Sequence, residues 1–161
     1  MDETSYYYLL NEIAKYCLTN NNNSERKKEE KIGYQIGYKL TNKLADDPTI
    51  KLWDNNSDVI NYIGKKLWPL IFNSNPTNIK FNSTKNICRL TDHNFYFYRT
   101  SFYRSFAETF TETGEGKELM RVYLRLFCSI IRGAINGSGY QVEVTANFRN
   151  RPKCTFLIKF I

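Results

Sequence analysis

The sequence predicts an α+β fold in which helices pack on one side of a small twisted antiparallel sheet of about four strands. Two pairs of short apolar-polar alternating runs support this, 79–82 with 87–91 and 140–148 with 154–160. Within each pair a short polar turn joins the runs, as in hairpins. Most of the remaining chain has apolar residues at helical spacing. The 161 residues fit one domain spanning 1–161. A chain of this size buries about two-thirds of its unfolded surface without disulfides or metal.

The first helix is expected from about Glu3 to Thr19, where Tyr6, Leu9, Leu10, Ile13, Ala14 and Cys17 recur on one side. The asparagine run 20–23 breaks it. A second helix follows from about Ser24, a capping residue, to Leu44, with Ile32, Ile36, Leu40 and Leu44 forming one apolar ridge. Beside that ridge Gly33 and Gly37 each cost roughly 1 kcal/mol of helix propensity against alanine, which implies close approach of another backbone. Spacing alone does not say whether that backbone belongs to this chain or another. The apolar faces around Tyr6, Leu10 and Ile13 and around Ile36 and Leu40 are the candidate partner surface. Two such helices can supply the roughly 800 Å² per side of a stable interface.

Asp46-Asp-Pro48 ends the second helix, and Ser57-Asp58 is the expected N-cap of a third that buries Val59, Ile60, Ile63, Leu67, Trp68, Leu70 and Ile71. The first hairpin comes next, then an aromatic basic run over 95–106 and a Gly114-Glu-Gly116 break. The last helix is expected over about Lys117 to Asn136. On it Arg121, Arg125 and Arg132 fall within about 40° of one another, with Cys128 between them. This cationic stripe is either a solvated face or a dock for an acidic partner or anionic lipid headgroups. Gly133, Gly137 and Gly139 follow a helix rather than a strand, so they read as C-cap and turn instead of a phosphate loop. In the final hairpin Tyr140, Val142, Val144, Ala146 and Phe148 share one face, as do Cys154, Phe156, Ile158 and Phe160.

No catalytic constellation emerges. The single histidine, His93, lies in a turn, and no carboxylate pair is spaced to share a cleft. Cys17, Cys88, Cys128 and Cys154 are spread singly without a C-x-x-C pair and read as reduced core residues. No residue is assigned to a metal or cofactor. The run from Leu119 to Ile135 is too short for a bilayer span and is broken by arginines. The start of the chain has neither the basic nor the apolar region of a secretory signal, so a cytoplasmic protein is expected. The net charge is +7, with a slightly acidic front and a basic remainder. Arg99 and Arg104 among the aromatics of 95–106, with Arg149, Arg151 and Lys153, leave an RNA-binding domain as the alternative, although no nucleic-acid module is present.

One ungapped stretch is more specific. Cys128, Ile131-Arg-Gly-Ala134, Gly139, Val144-Thr-Ala146, Pro152, Cys154 and Phe156 resemble the C-terminal half of the small subunits of the transport protein particle (TRAPP), in the subunit-six branch. Weaker matches lie at Gly33, Gly37 and Leu40, at Asp58 and Leu67-Trp68, and at Asn82, Leu90, Asp92 and Phe95, so the resemblance covers roughly 30–160. That family has a glycine in the first hairpin turn where this chain has Lys85-Asn86. The resemblance implies a non-enzymatic assembly subunit that pairs with a paralogous small subunit through its N-terminal helices. The complex would be peripheral to Golgi and ER-Golgi membranes and promote nucleotide exchange on a Rab-type GTPase. The same resemblance suggests that Arg132 ties helix to loop.

Overall fold

The computed structural model describes residues 3–19, 23–45, 53–95, 114–148 and 152–161. In chain order these form α1 (Glu3–Thr19), α2 (Asn23–Ala45), α3 (Asn56–Tyr62), a π-helical turn (Ile63–Leu67), α4 (Trp68–Phe72), β1 (Asn78–Phe81), β2 (Ile87–Asp92), α5 (Gly114–Gly137), β3 (Val142–Asn147) and β4 (Cys154–Phe160). The four strands make one antiparallel sheet in the order β1-β2-β4-β3.

Register decides which side chains the sheet buries. Leu90 pairs with Phe156 and Phe156 with Ala146, while Cys88 pairs with Ile158 and Ile158 with Val144, so these residues share a face. Their strand neighbours Arg89, Leu157 and Thr145 form a row on the opposite face. The first face is covered by helices. Phe72 of α4, Phe95 after β2, Phe127 of α5 and Phe156 of β4 interlock there, with ring centroids 4.8 Å apart for Phe72–Phe127 and 5.8 Å for Phe95–Phe156. All four rings are essentially inaccessible to solvent.

The third helix departs from its expectation in two ways. Its N-cap is Asn55, not Ser57-Asp58: the Asn55 side-chain oxygen accepts from the backbone N–H groups of Ser57 and Asp58 at 2.9 and 3.1 Å. The Asn55 amide in turn donates to the Asp58 carboxylate at 2.9 Å, a reciprocal cap that satisfies orphan donors of the first turn. The helix is also not α-helical throughout, although it runs unbroken from Asn56 to Phe72. Pro69 cannot donate a backbone hydrogen bond and its ring crowds the carbonyl four residues earlier. The chain widens into a π turn just before it, where the Trp68 N–H donates to the Ile63 carbonyl, five residues back.

Strands β1 and β2 lie within one residue of their expected bounds. In their turn Lys85 adopts φ +55°, the left-handed conformation that favours glycine. A side-chain network holds this turn: Asn82 donates to Asn86 at 2.7 Å and accepts from the Ile87 N–H at 3.0 Å.

The glycines of α2 find their neighbour within the chain, on α5. A Cβ added at Gly37 would stand 1.9 Å from the Ile130 carbonyl oxygen, and one added at Gly133 would stand 2.0 Å from the Tyr34 carbonyl oxygen. Gly33 faces the Leu126 carbonyl in the same manner, at 2.8 Å. The two helices therefore meet backbone to backbone, and Thr41 reinforces the contact by donating to the Ala134 carbonyl at 3.0 Å. This corrects the reading of Gly133 as part of a C-cap, since it lies inside α5, which runs on to Gly137. Gly139 does sit in the expected turn, at φ +90° with open space around it.

Candidate interaction surfaces

Because α5 occupies the glycine face of α2, other sides of the N-terminal helices face solvent. On α1 Tyr8, Leu9 and Tyr16 are exposed, Tyr8 to 62%, and on α2 Ile32 and Tyr38 are exposed to 37% and 42%. Leu9 and Tyr16 lie seven residues apart, two turns along one side of α1. Of the residues expected to meet a partner, Ile13, Ile36 and Leu40 are half-buried and pack against the chain's own core. The side chains of Tyr6 and Leu10 lie outside the described residues. The outward apolar surface is thus carried by neighbours of the predicted positions, and they were legible as the flanks of the same helical stripes.

A second surface is cationic. An open groove of about 1240 Å³ is lined by Arg121, Arg125, Cys128 and Arg132 of α5, by β3 from Val144 to Phe148, and by Arg89, Lys153, Thr155 and Leu157 of the adjoining strand region. Glu30 of α2 is the one carboxylate among the described residues of that lining. The structure thus keeps the predicted arginine stripe together and brings Arg89 and Lys153 to it across the sheet. The stripe's members differ in their local ties. Arg121 pairs with Glu118, Arg125 bridges to the buried Glu29 at 3.3 Å, and the Arg132 guanidinium stacks 5.8 Å from the Tyr34 ring centre. Arg132 thus ties α5 to α2.

The thiols are poorly suited to nucleophilic work. Burial pushes Cys88 up to about 12. It does the same to Cys128, despite the opposing field of Arg132, and Cys154 is raised by burial with smaller contributions from Cys128 and Asp92. At neutral pH each stays protonated. Among the described residues there is no His/Cys/Asp/Glu cluster fit for a metal ion. Of the aromatic basic run, Phe95 is a core ring rather than a stacking platform, and 96–106 lie outside the described residues, as do Arg149 and Arg151.

Comparison with known proteins identifies the fold and its lineage. Residues 6–161 match the transport protein particle (TRAPP) component family. The chain belongs to the TRAPP component family. A curated Schizosaccharomyces pombe relative, described as an uncharacterized protein, is 32% identical over 131 residues, covering 81% of this chain and 48% of the relative. The chain thus spans about half the length of that curated relative. Among solved structures, a trafficking protein particle complex subunit 3 from Naegleria fowleri, covalently bound to palmitic acid, superposes with a TM-score of 0.70 at 12% identity. The match covers 99% of this chain and 97% of that one. The helices over a four-stranded antiparallel sheet are therefore the TRAPP small-subunit fold, as the sequence resemblance implied.

Proposed function

We propose that this chain is an architectural subunit of a vesicle-tethering TRAPP complex and works by pairing with a paralogous small subunit through the outward faces of α1 and α2. The observation that carries this reading is the exposure of Tyr8, Leu9, Tyr16 and Ile32 on helices whose other sides are committed to the chain's own core. Exposed apolar side chains gathered on two neighbouring elements are what an assembly interface requires. The half-buried Ile13, Ile36 and Leu40 form the margin of this face. In the same reading the complex promotes nucleotide exchange on a Rab-type GTPase, the chain supplies architecture rather than catalysis, and its branch is that of subunit six.

Its place is the cytoplasmic side of Golgi and ER-Golgi membranes, held there through the complex. Among the described residues no helix is long and apolar enough to cross a membrane, which is compatible with that peripheral role. The test is coexpression with each paralogous small subunit, followed by measurement of complex mass in solution. A 1:1 heterodimer with one of them supports the proposal, and an isolated chain in every pairing contradicts it.

A further inference from the structure

The cationic groove has a shape and chemistry that the pairing of N-terminal helices does not use. We infer that it is a docking site for an extended acidic peptide of a partner protein, with carboxylates meeting the cations and apolar side chains filling the floor between them. The inference is independent of which small subunit binds α1 and α2.

Three observations point to this occupant. The cations are distributed rather than convergent: Arg121 and Arg132 stand eleven residues apart on α5, about 16 Å along the axis, while Arg89, on β2 two strands in from the edge strand β3, and Lys153, just before β4, line the groove from the other face of the sheet. One phosphate group needs donors gathered around a point, whereas spaced carboxylates on an extended chain match a row. Apolar and polar walls also alternate, because Leu124, Val144 and Ala146 line the same groove as the arginines. An acidic peptide with interspersed apolar residues satisfies both.

The third observation concerns availability. Among the described residues no carboxylate pairs with Arg89 or Lys153, and both are exposed. Arg125 is already engaged by Glu29, so it fixes the wall and contributes less free charge. Nucleic acid fits less well, since Phe148 is the one aromatic ring among the described lining residues and base stacking needs such platforms. A flat bilayer surface fits less well too, because these side chains line a concavity.

Selection from a random dodecapeptide library on the purified chain tests the inference, with the enriched peptides remeasured by fluorescence anisotropy. The result expected is enrichment of Asp/Glu-rich sequences with interspersed apolar residues. Their affinity should fall at least tenfold in Arg89→Glu/Lys153→Glu, and should be unchanged in Leu9→Asp, a substitution on the proposed subunit face. Circular dichroism checks that both variants remain folded. Enrichment of non-acidic peptides, or no enrichment, overturns the inference, as does equal binding by wild type and the charge-reversed variant. Binding of inositol hexakisphosphate, anionic phosphatidylserine vesicles or an RNA oligonucleotide in the same assay, without peptide binding, also overturns it.

Discussion

Gly37 of α2 and Ile130 of α5 meet so closely that a methyl group on the glycine would stand 1.9 Å from the isoleucine carbonyl oxygen. No rotamer change relieves this contact, since a Cβ is fixed by its own backbone and the atom it meets is a backbone carbonyl oxygen. The reciprocal pair, Gly133 and Tyr34, has the same geometry at 2.0 Å. Between them these contacts set the spacing of α2 and α5 and thereby decide which face of α2 is turned inward.

Gly37→Ala therefore forces α2 and α5 apart. We expect a loss of about 3 kcal/mol or more, at the upper end of overpacking costs. For a chain of this size that is a fall in Tm of roughly 6–12 °C. Thermal unfolding followed by circular dichroism checks it, and Gly133→Ala is expected to behave alike.

Lys85 offers the opposite change. Its φ of +55° strains a side-chain-bearing residue, and its backbone N–H and carbonyl, bonded to Asn82 and Asn56, are unaffected by substitution. Lys85→Gly should stabilise the chain by about 0.5–1 kcal/mol by relieving left-handed strain. A rise in the denaturant midpoint with an unchanged slope is the expected signature.

Glu29 is almost wholly buried and bridges to Arg125 at 3.3 Å. Arg125→Met removes that guanidinium from the buried carboxylate and should destabilise by about 2–3 kcal/mol, below the full penalty of a deeply buried pair because Arg125 is partly exposed. Removing the exposed Lys15–Glu12 pair should cost less than about 1 kcal/mol. Parallel urea melts of the two variants make the comparison.

The buried thiols give the fold an alkaline weakness. Cys88 titrates near 9 when free and is raised to about 12 here. Between those values the unfolded chain has lost the proton that the folded chain keeps, so stability falls as pH rises through this window. Each such group removes up to about 1.4 kcal/mol per pH unit. Cys128 acts in the same direction and range. Denaturant midpoints measured from pH 8 to pH 11 should decline steadily, and Cys88→Ala should flatten the decline.

The sequence made some of this legible and not the rest, for identifiable reasons. Gly33 and Gly37 announced a close backbone contact, because glycines on a helical ridge need one. Helical spacing names the side of a helix but not its neighbour, so in sequence Gly133 looks like the turn glycines that follow it. The Arg121, Arg125 and Arg132 stripe was visible because it lies on one helix. Arg89 and Lys153 join it only through the pairing of Arg89 with Leu157 and Leu157 with Thr145, and strand register is not written in local periodicity. The cap at Asn55 and the π turn before Pro69 had local signals, a capping residue and a proline, which the strong apolar run 59–71 masked.

The central claim is that the outward apolar side of α1 and α2 holds a paralogous TRAPP small subunit while the glycine side is committed internally. Its most direct test is the solution mass of the coexpressed pair, with wild type compared against Leu9→Asp/Tyr16→Asp. The account predicts a 1:1 heterodimer for wild type and a lone chain for the variant, which should melt within about 2 °C of wild type because both positions are exposed. A variant that still forms the heterodimer, or a wild-type chain that pairs with no paralogue, would contradict it.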